Sequence, residues 1–274
     1  KVWESFSNYT LDPVALDKDT EEVVFGWFDH LLFNKAVPKL VSHAVNYQLM
    51  GSNQWRHAES LAGLNSRGVQ YYLGTTQLAN GQYRLLTRQE HLPASIEMTV
   101  DMADRTTQRN VSPWPLIQDK INDETGLVYV TEAFTSPMEL AGAITGNIVI
   151  STNKQDVDIG YNFYAISAEG EVFHLNTYRS RASYAHSMQQ RQLLTPGKKT
   201  SLPIVNARMT AKLLEPGSRL AIVLNVNKNQ DAQVNHGSGK PVNAESSADA
   251  GEPLTIEWHN DTQVMLPLKP WSNQ

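Results

Sequence analysis

The 274-residue sequence predicts a mainly β protein, a jelly-roll β-sandwich preceded by one helix. Three observations carry this. The hydrophobic period changes from 3.6 to 2 near residue 44. About a dozen short alternating segments then follow with no helix between them, and Gly, Pro and Asn pairs punctuate them. Strands in series without crossover helices favour two packed antiparallel sheets, because each half-buried sheet must cover its apolar face with another layer.

The helix comes first. Asp19, with Glu22 three residues on, fits a capping box, and Glu21 and Glu22 sit where the helix dipole favours negative charge. Val24, Trp27, Phe28 and Leu31 recur at i, i+3, i+4 and i+7, an apolar stripe ending near Asn34. Gly26 inside it costs roughly 1 kcal/mol relative to Ala, so close packing against a neighbour is expected there. A stripe carrying Trp and Phe requires a large apolar partner. Residues 35–43, broken by Pro38, read as a connector.

Strand patterns follow in order. Val45/Tyr47/Leu49, Ile96/Met98/Val100, Ile148/Ile150, Tyr161/Phe163/Ala165, Leu220/Ile222/Leu224, Ile256/Trp258 and Val264/Leu266/Leu268 alternate with more polar residues. Asn80-Gly81, Glu169-Gly170, Pro196-Gly197, Pro216-Gly217 and Asn260-Asp261 read as turns. Trp55 and Trp258 sit in strand patterns and read as core. Residues 105–123 form a long ordered loop in which Pro113 and Pro115 frame Trp114, read as a plug on the core with a functional loop as the alternative. Residues 243–251, small and polar, are expected to form a mobile surface loop.

Composition excludes several classes. A net charge of −5 without a basic run argues against nucleic acid as a partner. No apolar stretch is long enough to span a bilayer. Zero cysteines remove disulfides, thiolate metal sites and a cysteine nucleophile, while leaving both cytoplasmic and exported settings open. Asn8, Asn110 and Asn260 begin glycosylation sequons, a weak signal that matters only in a eukaryotic secretory pathway.

A catalytic set is not found. No G-x-S-x-G pentapeptide places a serine on the strained strand-to-helix turn that exposes its hydroxyl: Gly51-Ser52 runs into Asn and Gln, and Gly237-Ser238-Gly239 lies in a β context. The eight histidines are scattered and read as solvated or locally bonded imidazoles. Asp156 and Asp158 put two carboxylates on one strand face. That could serve calcium, but the further oxygen ligands are missing, so structural hydrogen bonding is the preferred reading. No cofactor is implied.

Several blocks, in order, resemble one enzyme family. They are F-G-W-F-D-H-L-L-F at 25–33, V-N-Y-Q-L-M-G-S-N-Q-W-R at 45–56 and T-E-A-F-T-S-P-M-E-L-A-G-A-I-T-G at 131–146. The D-x-D strand and hairpin at 156–181, L-E-P-G-S-R-L at 214–220, N-H-G-S-G at 235–239 and the last strand at 264–270 continue the series. Each is weak alone, but their shared order is fairly specific. The chain resembles the C-terminal, non-catalytic part of the cocaine-esterase-like and X-Pro dipeptidyl-peptidase acyl hydrolases, relatives of glutaryl acylase and α-amino-acid ester hydrolase. Departures exist: Arg181-Ala182-Ser183-Tyr184-Ala185 stands where many relatives read R-A-R-Y-R, and an aspartate-proline pair near 101–105 is missing. They bear on the subfamily.

The resemblance implies a galactose-binding-domain-like jelly roll over 43–274, with 1–42 the helical end and connector of an α/β-hydrolase domain. It places the family's Ser, Asp and His before Lys1, and His30 is not the triad histidine. The implied role is structural: walling a substrate pocket or making homo-oligomer contacts, with an N-terminal hydrolase domain as partner. Trp27, Phe28, Asn53, Trp55, Arg56 and Trp114 are the candidate domain-interface or pocket-rim residues. Two alternatives stay open, a free-standing carbohydrate- or ligand-binding β-module and an intact enzyme of unrelated mechanism.

Overall fold

The switch in hydrophobic period falls where helix gives way to strand. A computed structural model of the chain describes residues 18–65, 68–105, 116–121, 123, 126–229 and 232–272. Contacts divide the chain into two compact units, Lys1–Ser66 and Arg67–Gln274.

In the first unit, helix α1 spans Lys18–Phe33 and ends at Asn34, whose φ of 53° is a left-handed conformation that Asn tolerates. A Cβ on Gly26 would lie 2.7 Å from Pro38 Cγ, so the glycine is the close approach its place in the stripe implied. A single 3-10 turn, Lys39–Val41, follows. Strands β1 (Val45–Leu49) and β2 (Gln54–Ala58) form an antiparallel hairpin, and a short helix α2 occupies Leu61–Asn65.

Among the described residues the second unit holds fifteen strands. In order they are β3 (Val69–Gln77), β4 (Tyr83–Leu86), β5 (Ser95–Val100), β6 (Ile117–Gln118), β7 (Gly126–Val130), β8 (Met138–Ala143), β9 (Thr145–Thr152) and β10 (Asp158–Ile166). Then come β11 (Val172–Arg181), β12 (Thr200–Ile204), β13 (Met209–Leu214), β14 (Arg219–Val226), β15 (Leu254–His259), β16 (Gln263–Leu266) and β17 (Leu268–Pro270). Every alternating segment read from the sequence is a strand, and every predicted turn pair lies in a turn.

Pairing is broader than two separate antiparallel sheets. Twelve described strands form one sheet, eleven of them along the path β5-β15-β9-β16-β3-β4-β7-β14-β10-β11-β6 and β12 on β9, and β13-β8-β17 form another sheet. The long path exists because β9 changes partner along its length, pairing β15 through Ile150–Thr152 and β16 through Thr145–Asn147. Gly146 makes the exchange feasible: at φ 129° its absent Cβ would stand 2.0 Å from the Gln263 carbonyl oxygen. Among the described strands one pair, β4 with β7, is parallel.

One apolar core takes Leu73, Ile148, Ile150, Tyr161, Phe163, Leu220, Ile222, Leu224, Ile256 and Trp258. A smaller cluster lies on the opposite face of the β7-β14-β10-β11 region, built from Val128, Val130, Tyr164, Val172, Ala221 and Val223. Strand β14 is therefore covered on both faces, which is why it reads R-L-A-I-V-L-N-V, a near-continuous apolar run.

Three expectations change. Residues 243–251 are held by two 3-10 turns, Val242–Ala244 and Ser247–Ala250, the second closed by a Ser246–Asp249 capping box. The small polar residues that suggest mobility here supply the cap instead. Asn260 is buried, donating to Leu92 O at 2.8 Å and accepting from the Ala94 N–H at 3.1 Å, so its sequon is no glycan site in this fold. The 105–123 stretch contains β6, which pairs with β11, while Pro113, Trp114 and Pro115 lie outside the described residues.

Candidate functional site

Two of the predicted rim residues lie on α1. Trp27 and Phe28 are 43% and 55% exposed, and the rest of the apolar stripe is bare with them. Three more lie on the β1–β2 hairpin. Gly51 (φ 97°) and Asn53 (φ 55°) turn the chain in left-handed conformations, and the Asn53 N–H donates to Leu49 O at 2.9 Å. Trp55 stands across from Gln48, half-buried, with an indole N–H that is buried and has no acceptor among the described residues. Arg56, across from Tyr47, is 9% exposed and donates from Nη2 to Gln54 Oε1 at 3.0 Å. The hairpin thus brings Asn53, Trp55 and Arg56 together, while Trp114 lies outside the described residues.

At the hairpin's open end the His43 and His57 rings stack at 4.6 Å. Asn46 ties the pair together, meeting His57 Nδ1 at 2.7 Å and donating to the His43 carbonyl at 2.6 Å. This fixes where the chain enters β1.

Hydrolytic chemistry would need a serine whose proton a histidine can take. Ser151 Oγ lies 2.8 Å from His259 Nε2, but the same hydroxyl donates to Glu257, which also lies 3.9 Å from that Nε2. The carboxylate therefore accepts the serine's hydrogen bond itself, instead of orienting the far ring nitrogen as a triad requires. The Ser151 hydroxyl bond holds the Glu257 carboxyl below its usual range, and burial lowers His259. Ser151 is also paired directly across from Glu257 on flat sheet, without the strained turn that exposes a nucleophile. Ser238 likewise gives its hydroxyl to Glu245, and neither ring nitrogen of the nearby His236 makes a hydrogen bond among the described residues, its Nδ1 lying 3.9 Å from Glu245 Oε2. Neither group is arranged for acyl transfer.

The aspartate pair has a clear role. Asp156, fully buried, accepts from the Ser183 N–H at 3.0 Å, the Ser183 hydroxyl at 2.7 Å and Arg191 Nη2 at 3.0 Å. Asp158 is bound by both Nε and Nη2 of Arg181, at 2.8 and 2.9 Å, and by Asn235 Nδ2 at 2.9 Å. Arg191 also donates to Gly239 O at 3.0 Å, which ties in the N-H-G-S-G segment. The carboxylates are engaged by guanidinium groups and neutral donors, a structural use.

Two histidines are buried. His174 is locally bonded, its Nε2 lying 3.1 Å from Thr177 Oγ1. His236 has no hydrogen bond at either ring nitrogen among the described residues, which neither a solvated nor a locally bonded ring describes. His174 and His236 are 5% and 6% exposed. Burial lowers His174 to about 4, and its ring packs edge-on against Tyr164. His174 also lines a groove of about 810 Å³ beside β11, with Arg179, Arg181, Met188, Arg208 and Met209. Sequence spacing carried no sign of this groove, because its two sides come from β11 and from the approach to β13.

The chain matches the model of the X-Pro dipeptidyl-peptidase C-terminal non-catalytic domain over residues 42–263. Among solved structures it resembles an α-amino acid ester hydrolase, at TM-score 0.74 and 17% identity over 91% of this chain and 45% of that one. It resembles an aminopeptidase from a marine sediment Thaumarchaeota archaeon at TM-score 0.70 and 16% identity, over 89% of this chain and 43% of that one. It also resembles a CocE/NonD family hydrolase from Staphylococcus aureus at TM-score 0.62 and 13% identity, over 92% and 46%. The chain thus spans less than half the length of these structures, and at such identities the likeness shows the fold. No curated protein matches it in sequence. By the extent of the match, this chain belongs to the family of X-Pro dipeptidyl-peptidase C-terminal non-catalytic domains.

Proposed function

We propose that the chain is the C-terminal β portion of a serine acyl hydrolase of the X-Pro dipeptidyl-peptidase and acyl-esterase type. Residues 43–274 form its galactose-binding-like jelly roll, and 1–42 belong with the α/β-hydrolase domain. The parent reaction is acyl transfer, with serine attack, an acyl-enzyme and hydrolysis by water, all carried out by residues of that other domain. The role of the β portion is to pack on the hydrolase domain and to wall its substrate pocket or make oligomer contacts.

The observation that carries this reading is the bare face of α1. Phe25, Phe28, Leu31, Leu32 and Phe33 are each 55–69% exposed, a contiguous apolar surface of the sort that marks an interface. Trp55 supports it from the hairpin, since a buried indole N–H with no acceptor costs roughly 1–3 kcal/mol until a partner supplies one. Trp27 and Phe28 then belong to the helix interface, and Asn53, Trp55 and Arg56 to the joint or pocket rim.

The test compares this chain with the polypeptide encoded by extending its reading frame upstream of Lys1. The extended protein is expected to carry a G-x-S-x-G pentapeptide and to hydrolyse aminoacyl or p-nitrophenyl esters, while residues 1–274 alone give no turnover above background. Ester turnover by residues 1–274, lost on Ser151→Ala, would overturn the proposal. So would an upstream frame lacking any nucleophile motif.

A further inference from the structure

Asn80 is the only asparagine of the chain that glycine follows. The pair lies at the tip of the β3–β4 hairpin. There the Leu78 N–H donates to Gln82 O at 2.8 Å, and the Gly81 N–H donates to Leu78 O at 2.9 Å. Gly81, at φ 83°, takes the left-handed conformation that closes a short hairpin loop of this kind. Both residues are exposed, and a Cβ on Gly81 would meet nothing nearer than Gln77 Nε2 at 4.0 Å.

An asparagine side chain is a carbonyl electrophile within reach of the next residue's main-chain nitrogen. Glycine leaves that nitrogen uncrowded and gives the backbone the freedom to bring it in. The exposed Asn34, Asn53, Asn206 and Asn243 precede Lys, Gln, Ala and Ala, whose Cβ atoms crowd the approach. At Asn80 the Gln82 N–H donates to Oδ1 at 3.3 Å, which polarises the carbonyl and meets negative charge as it develops on that oxygen. The leaving nitrogen, Nδ2, donates to Gln82 Oε1 at 2.9 Å. One contact opposes attack, the bond that holds the Gly81 N–H on the Leu78 carbonyl. An exposed loop tip is where such a bond opens at least cost.

We propose that Asn80 is a self-modification site, at which the chain converts its own asparagine to aspartate and isoaspartate. The Gly81 nitrogen loses its proton to solvent hydroxide and attacks Asn80 Cγ. The bond from Cγ to Nδ2 breaks, and the nitrogen leaves as ammonia with a proton from water. The product is a cyclic imide, which a second water opens at either carbonyl. One opening leaves aspartate on an unchanged main chain; the other routes the main chain through the side chain, as isoaspartate. Both add a negative charge at the hairpin tip. Isoaspartate also lengthens the loop by a main-chain carbon, beside the Gln77–Tyr83 pair. Strand β4 joins β3 to β7, and Tyr83 and Leu85 are core residues, so a loosened tip reaches the edge of the core.

The experiment incubates the 274-residue chain at mildly alkaline pH, folded and in urea, and follows its proteolytic peptides by mass. In the folded chain the peptide holding residue 80 is expected to gain the mass of an amide-to-acid change first, as two chromatographically separable products. Peptides holding the other described asparagines should lag by about tenfold, a barrier difference of about 1.4 kcal/mol. Asn80→Ser, at an exposed site that leaves circular dichroism unchanged, should lose the fast species. Hydrogen exchange at 77–83 should be faster in the purified isoaspartate form than in Asn80→Asp, which carries the charge without the added main-chain atom. Equal exchange in those two would overturn the effect on the hairpin. Reaction in urea with none in the folded chain would show that the turn protects Asn80, and would overturn the proposal. A fast species that persists in Asn80→Ser, or aspartate as the sole product, would overturn it as well.

Discussion

Helix α1 and strand β14 carry similar apolar loads and dispose of them in opposite ways. In β14, Leu220, Ile222, Leu224 and Val226 are at most 1% exposed, and Ala221 and Val223 are covered on the other face. In α1, Phe25, Phe28, Leu31, Leu32 and Phe33 remain more than half exposed. The amphipathic pattern predicts in both cases that a face is to be buried. It does not say by whom. Where the chain buries its own apolar residues, stability follows from within; where the described residues leave them bare, the pattern says only that a face remains uncovered.

This contrast can be tested hardest in the core. Trp258 is fully buried, so Trp258→Ala should destabilise the chain by about 3–5 kcal/mol, read as a lower urea midpoint at unchanged slope. A loss below about 1 kcal/mol would mean that the cavity collapses and that the core is far softer than its burial implies.

A smaller effect should appear as pH dependence. Burial holds His174 at about 4 in the fold, against about 6.5 in an unfolded chain. The unfolded state therefore binds more protons between those values, and stability falls as pH drops from about 6.5 toward 4. The contribution is roughly 3 kcal/mol at most, fully present above the unfolded value. The difference in unfolding free energy between the original chain and His174→Asn should shrink across that window. A pH-independent difference would remove His174 as a source of the slope.

Much of the fold was legible because its signals are local. Alternation at Ile148/Ile150, Tyr161/Phe163 and Ile256/Trp258 marked strands, and Gly26 announced its close neighbour before Pro38 was seen against it. The connectivity was hidden because it is long-range. The partner exchange of β9, the parallel β4–β7 pair and the bond from the Val149 N–H to Thr262 Oγ1 join residues with no mark of each other in the sequence. The same holds for polar residues. Asp156 and Asp158 were visible as a pair, but Arg191, which meets Asp156, lies 35 positions away. Of the candidate site, the hairpin motif was legible as a turn with Asn53, Trp55 and Arg56 on it. The groove beside β11 was not, since tertiary approach alone makes it.

The smallest expected stability effect is the most telling. Trp27→Ala and Phe28→Ala remove large apolar side chains, a change that in a core costs about 3–5 kcal/mol. On α1 they should shift the unfolding free energy of the 274-residue chain by no more than about 0.5 kcal/mol, because half-exposed groups lose little contact when truncated. The same pair should lower binding of a surface-hydrophobicity dye and reduce self-association on size-exclusion chromatography, since the bare face is smaller. In the extended polypeptide the order should invert, with each truncation costing roughly what a buried aromatic costs. Equal effects in the two lengths of chain would mean that α1 has no further partner, and its difference from β14 would then be one of degree.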